Sequence, residues 1–277
     1  MDYKKNKKVA VFGYDFGGAF NTVIFLIKKK YNLKKIDFFF FGPSKSCLTL
    51  LKEKISVKKN FSNFKIYNQA IYSLSNVKNK EFLFLKNIKK NKIPSKLILD
   101  GWTNYQKKMA TSKINLLPDE IITFDTISFK IVSKLIKKSN IILYRDLIFD
   151  FFKKKIKKRK KNYLLFLQTK SLNKKKIVER VLSACKKKNI RFKFRNHPSS
   201  QSKNHSIINS MFKDISGAKY ILGDHSSMLI YGSVLGSKSL CYCKKGVDKF
   251  YWNKYRIFNR FNIKKIYNID NLERNLI

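Results

Sequence analysis

The chain has 277 residues, 62 of them Lys or Arg against 17 Asp or Glu, for a formal charge of +45, with 44% hydrophobic and 14% aromatic residues. That apolar content excludes general disorder, and the length admits one large or two medium domains, each with its own core. A dedicated nucleic-acid reader is not implied. Arg stands at only eight positions, and the Lys excess is spread through the whole chain alongside Asn, Ile and Phe, as a coding bias toward A and T would give; DNA readers lean on Arg for bidentate contacts.

In chain order the patterns alternate between strand and helix. Val9 to Gly13 reads as a buried strand, Ala19 to Lys29 as a helix, Lys35 to Phe41 as a strand and Ser46 to Lys54 as a helix. Shorter elements are expected near Phe64 to Tyr67 and Asn68 to Leu74. Leu97 to Leu99 and Glu120 to Phe124 read as strands, and Ile127 to Lys137 as a helix. Lys153 to Lys161 (KKKIKKRKK) then interrupts the rhythm, a self-repelling block suited to a solvated linker. The alternation restarts with strands at Tyr163–Leu167, Arg191–Phe194, Tyr220–Leu222 and Ser239–Tyr242. Helices are expected between them at Asn173–Lys188, Ile207–Met211 and Ser226–Leu235, and a helical tail fills the last thirty residues. This order predicts an α/β protein with mainly parallel sheets. Two Rossmann-like domains are expected, 1–150 and 151–277.

Cys241-Tyr242-Cys243 lies on an alternating strand that points both thiols to one face. No second Cys or His pair stands at zinc-finger spacing, so Cys47, Cys185, Cys241 and Cys243 read as core thiols of a reducing compartment, and no metal is expected. The N-terminal apolar run, Val9 to Phe12, is too short for a signal-peptide core, and no stretch reaches membrane-spanning length. The expected location is the cytoplasm, with peripheral docking on an anionic inner membrane face favoured by the positive field.

Two clusters in the second half and two in the first carry the chemistry. Asn196-His197-Pro198-Ser199-Ser200 stops one strand, and Gly223-Asp224-His225-Ser226-Ser227 turns the next strand into a helix. Strand carboxyl ends facing helix amino ends bind anions, phosphate above all, through free N–H groups and the helix dipole. The two ends are expected to be adjacent, so that His197 and the serines share one phosphate. In the first half, Gly13 to Ala19 forms a Gly-rich turn that offers Asp15, Gly17, Gly18 and Asn21. The GxGxxG spacing of dinucleotide sites is absent there. Asp100-Gly101-Trp102-Thr103-Asn104-Tyr105 delivers a carboxylate to a strand end, beside a glycine that lets a ligand approach and two flat rings for stacking. Asp125, also at a strand end, competes with it.

With these residues in view, the chain resembles the two-domain GT-B glycosyltransferases of bacterial surface polysaccharides. It is similar in pattern to the bacterial sialyltransferases and polysialyltransferases and to the CDP-glycerol glycerophosphotransferases. The resemblance implies two Rossmann-like domains facing across a cleft, the acceptor side in 1–150 and the nucleotide-donor side in 151–277. It places Asp100-Gly101 at the general-base motif, with Asp15 as the alternative base. His197-Pro198 matches the donor-binding His-Pro motif, and Ser226-Ser227, with Gly223 and Asp224 before them, the serine motif. Gly17, Gly18, Asn21, Gly101, Trp102 and Tyr105 would line the acceptor side. Leu99 replaces the first of two carboxylates common before the glycine, and Tyr231 stands where many relatives carry an acidic residue a helical turn past the serines.

The expected activity is metal-independent, inverting transfer of a sugar or polyol phosphate. The donor would be CMP-, CDP- or UDP-linked, the acceptor an anionic surface glycan or a lipid-linked one of capsule or lipopolysaccharide type, and no cofactor is implied. The same scaffold serves nucleotide-sugar epimerases and hydrolases. A non-catalytic polyanion- or membrane-binding protein with a degenerate transferase fold is the third reading.

Overall fold

The computed structural model describes residues 8–51, 53–74, 78–100, 117–137, 139–155, 161–168, 172, 175–196, 207–243, 250–254 and 256–276. Its packing divides the chain into two compact units, Met1–Ile148 and Phe149–Ile277, each built on its own parallel sheet.

In the first unit β1 (Lys8–Gly13), β2 (Ile36–Phe40), β3 (Ser56–Val57), β4 (Tyr67–Tyr72), β5 (Ser95–Ile98), β6 (Glu120–Thr123) and β7 (Asn140–Leu143) lie in the order β3-β2-β1-β4-β5-β6-β7. The chain winds outward from β1 in one direction, returns, and places β4 on the other flank. The described helices are α1 (Phe16–Lys28), α2 (Lys78–Lys90), α3 (Thr126–Leu135) and the start of α4 (Leu147–Lys155). Strands buried on both faces read as continuous apolar runs, as VAVF and FFF do here.

Phenylalanine fills this core. Phe84 of α2 stacks on Phe12 of β1 at 5.0 Å and meets Phe39, Phe61, Phe64 and Tyr72. Helix α2 went unread because lysines dilute its pattern. Its buried residues, Glu81, Phe84, Leu85 and Ile88, nevertheless fall at the helical period. The expected helix at Ser46–Lys54 is corrected to a run of 3-10 turns over Gly42–Leu50. There Ser46 Oγ donates to Pro43 O and Thr49 Oγ1 to Ser46 O. Such back-bonding to carbonyls three residues earlier competes with the α-helical ladder.

In the second unit β8 (Tyr163–Leu167), β9 (Arg191–Arg195), β10 (Ala218–Gly223), β11 (Lys238–Tyr242) and β12 (Lys264–Ile266) take the order β12-β11-β10-β8-β9. The described helices are α5 (Lys175–Lys187), α6 (Ile207–Gly217), α7 (Ser227–Val234), α8 (Phe250–Lys254) and α9 (Ile257–Arg260). The tail is therefore not wholly helical. Its β12 extends the sheet, and Ile269, Leu272 and Leu276 join the core with Leu164, Phe166 and Val181. Part of the basic block, through Lys155, continues α4 rather than forming linker.

A charged group sits inside the first unit. The Asp37 side chain, 1% exposed, accepts from Tyr67 Oη at 2.8 Å and pairs with Lys8 at 3.5 Å and Lys58 at 4.0 Å. Burial alone would raise its pKa, but the hydrogen bonds from Ser56 and Tyr67 and the two ammonium groups together lower it. A depressed carboxylate stabilises the fold above its unfolded pKa of about 3.9, and that contribution is lost as pH falls through the folded value. Tyr67→Phe is expected to cost about 1.5–3 kcal/mol in urea unfolding at pH 7, the range for a bond to a charged acceptor. The deficit should shrink as pH falls through the depressed folded value and Asp37 becomes protonated in both states.

Candidate functional site

Both sheets reverse their direction of winding at one place. In the first unit this switch point lies between β1 and β4, and in the second between β8 and β10. At such a point the helices after the two strands go to opposite faces, leaving the carboxyl ends uncovered, and open α/β sheets bind ligands there.

At the first switch point the turn after β1 enters α1 at Asp15, whose backbone stands in the N-cap position with φ −74° and ψ 144°. A β-carbon added to Gly17 would stand 3.7 Å from Asp100 Oδ2, and one on Gly18 would run into Ser73 Cβ and Oγ at 2.6 Å. The α1 amino end and the ends of β4 and β5 therefore converge, with the half-buried Asp100 against the glycine pair. Asn21 Nδ2 donates to Leu99 O at 3.2 Å, which ties α1 to the residue before Asp100. Two buried polar atoms here, Asn21 Oδ1 and Ser73 Oγ, find no partner among the described residues. Ser73 went unread as a site residue; its signal is the polar residue ending the strand Ala70-Ile71-Tyr72. Gly101, Trp102 and Tyr105 lie outside the described residues. Asp125 is corrected from competitor to cap: its Oδ1 accepts from Ile127 N at 2.8 Å and Ser128 N at 2.9 Å, and its Oδ2 from Ser128 Oγ at 2.7 Å.

At the second switch point Gly223 ends β10 against β8, where a β-carbon would stand 2.9 Å from Leu167 Cδ1. The turn Asp224-His225-Ser226 then opens α7. Ser226 is its N-cap, accepting from Met228 N at 3.3 Å, and Ser227 is exposed on the first turn. The cap reading of Ser226 is thus real, and a hydroxyl that accepts from the helix amide keeps its own proton to donate. His225 has a left-handed backbone, φ +29°, and its Nδ1 meets Asp224 Oδ1 at 2.5 Å. Burial pulls this imidazole toward its neutral form, but the Asp224 carboxylate and the Cys243 thiol outweigh it and push its pKa up to about 9.

The expected adjacency of the two donor motifs is corrected. Strand β9, which leads to His197, lies one strand away from β10, with β8 between them. His197 and Pro198 themselves lie outside the described residues. The end of β9 is fixed by Arg195, whose Nη1 donates to Asp214 Oδ2 at 2.7 Å and Ser210 Oγ at 3.1 Å on α6. Tyr231, at the place where relatives carry an acid, is a packing residue: its ring stacks on Phe152 at 4.2 Å and so holds α7 to α4.

No family model matches the chain, and no curated protein matches it. Solved structures do. Staphylococcus aureus MnaA with UDP superposes with a TM-score of 0.68 at 11% identity, covering 98% of this chain and 87% of that one. The wall teichoic acid polymerase TagF, soaked with CDPG as its H444N variant, gives 0.60 at 12% identity over 99% and 80%. Medicago truncatula UGT71G1 complexed with UDP-glucose gives 0.55 at 9% identity over 97% and 86%. Over nearly its whole length this chain has the α/β GT-B type of fold, with two Rossmann-like units.

Proposed function

We propose that the protein is a glycosyltransferase that moves a sugar, or a polyol phosphate, from a nucleotide-activated donor to a hydroxyl of a surface glycan or lipid-linked acceptor. The observation that carries this reading is the placement of Asp100 at the first switch point, beside the glycine pair that opens α1. The neighbours' UDP, CDPG and UDP-glucose ligands support a nucleotide-linked donor.

In this reading Asp100 takes the proton of the acceptor hydroxyl as its oxygen attacks the anomeric carbon. The new C–O bond forms with inversion while the bond to the donor phosphate breaks, and the nucleotide leaves with the electron pair. Gly17 and Gly18 allow close approach, and Ser73 and Asn21 offer polar atoms to the acceptor. Ser226, Ser227 and the α7 amides stabilise the leaving phosphate electrostatically. His197-Pro198 is assigned to the same donor by resemblance, and Gly101, Trp102 and Tyr105 to the acceptor. Asp15 is the alternative base. No metal takes part in the chemistry. Among the described residues no helix is long and apolar enough to cross a membrane. A cytoplasmic enzyme drawn by its positive field to an anionic acceptor or lipid surface is the arrangement we favour.

A second reading has one specific observation behind it. A putative UDP-N-acetylglucosamine 2-epimerase from Listeria monocytogenes superposes with a TM-score of 0.62 at 9% identity. An epimerase or hydrolase would consume donor without acceptor, so nucleotide release across a CMP-, CDP- and UDP-sugar panel, with and without glycan, separates the two.

Asp100→Asn is expected to lower turnover by about 10²-fold or more while nucleotide affinity by calorimetry changes less than about twofold. A variant that turns over like the parent removes Asp100 as the base. Ser227→Ala, which spares the helix cap, should weaken nucleotide binding about tenfold or more, the loss of one charge-assisted bond. Unchanged affinity would detach the α7 terminus from the donor.

A further inference from the structure

Beneath the serine turn three soft ligands meet. Cys241 and Cys243, at the carboxyl end of β11, and His225, on the turn after β10, bring their ligand-capable atoms within 4.8 Å of one another. Both cysteines are fully buried, and the His225 side chain is 3% exposed.

The chemistry of each donor points the same way. The strand alternation places both thiols on one face, and Sγ to Sγ is 3.8 Å. Two thiolates at about 2.3 Å from a tetrahedral zinc ion stand about 3.75 Å apart, so the pair already spans one edge of that tetrahedron. A disulfide would need the sulfurs at about 2.05 Å. The imidazole is oriented for the same centre. Its Nδ1 is held by Asp224 Oδ1, which leaves Nε2 as the coordinating atom. That Nε2 is buried and meets no hydrogen-bond partner of ordinary geometry among the described residues. A carboxylate on one imidazole nitrogen with the other nitrogen turned inward is the arrangement that orients metal-bound histidines. The backbone N–H of His225 also donates to Cys241 Sγ at 3.4 Å, supporting charge on that sulfur. Around the cluster stand Trp252, edge-on to the imidazole at 5.2 Å, and Phe258 at 6.0 Å. This apolar wall screens the cluster from bulk solvent.

We propose that His225, Cys241 and Cys243 form a structural site for a thiophilic divalent cation of the zinc type, which pins the end of β11 to the turn that opens α7. The ion replaces the two thiol protons and any proton on Nε2. Two thiolates, one neutral imidazole and M²⁺ sum to zero charge, which suits a buried position. The fourth coordination place falls to water. The site stands apart from the proposed transfer reaction, because it needs neither donor nor acceptor.

The test uses the full-length chain, purified without a metal-affinity tag and dialysed after loading with zinc. Elemental analysis is expected to find about one zinc per chain, and replacement by Co(II) to give thiolate-to-cobalt charge transfer with the intense visible bands of a tetrahedral site. Cys243→Ser and His225→Ala should each weaken zinc affinity by about 10²-fold, while Cys47→Ser and Cys185→Ser leave it unchanged and Cys243→His restores most of it. If the single-ligand variants fail to fold, the cobalt spectrum of the parent decides. Less than about a tenth of an ion per chain after loading overturns the proposal. So does zinc retained in Cys243→Ser, or a metal-free chain whose mass shows the two thiols joined as a disulfide.

Discussion

The reversal of strand order in each sheet is the constraint on which the rest of this structure depends. A central strand whose two neighbours are reached by opposite windings has no helix above its carboxyl end. In the first unit that strand is β1, with β2 and β4 beside it, and in the second β8, with β9 and β10. Glycines stand where such an opening brings backbone and neighbours closest, at Gly17 and Gly18 in one unit and Gly223 in the other. The polar residues of each unit's candidate site lie at or beside its own switch point. Their chemistry follows from topology first and from residue type second.

The parallel alternation and the strand ends were legible in the sequence because they rest on local patterns. Val9 to Gly13 and Tyr220 to Leu222 are short apolar runs closed by glycine, and nothing in their surroundings overrides that signal. What the sequence could not show depends on neighbours distant along the chain. Ser73 becomes interesting only once β4 lies beside β1 and brings it under Gly18. The separation of β9 from β10 is a matter of sheet order, invisible to any local pattern. Cys241 and Cys243 lacked a partner at recognisable spacing, because His225 reaches them from the neighbouring strand rather than along the same one. Tyr231 was read as a vacancy for an acid, and its stacking on Phe152 depends on α4, an element the lysine-rich sequence concealed.

The large positive charge is handled unevenly. Most lysines stay in water, where salt screens their mutual repulsion. Two of the buried carboxylates are held against basic groups: Asp37 between two lysines, and Asp214 between Lys193 at 2.5 Å and Arg195 at 2.7 Å. Replacing Asp214 would leave the buried Arg195 guanidinium without its charge partner, whereas the lysines that face Asp37 are more than two-fifths exposed and would keep their water.

The parallel pairing of β1 with β4 has a consequence for the time course of folding. Neither flank of β1 can close through a hairpin, since parallel neighbours require a crossover, and β4 arrives only after two other strands have been made. The apolar face of β1 must therefore wait, exposed, while the ribosome delivers its partner. Chains whose contacts are this distant fold slowly and are vulnerable to association in the interval. The dense positive charge of the same stretch, which keeps nascent chains apart, is a physical counterweight to that delay.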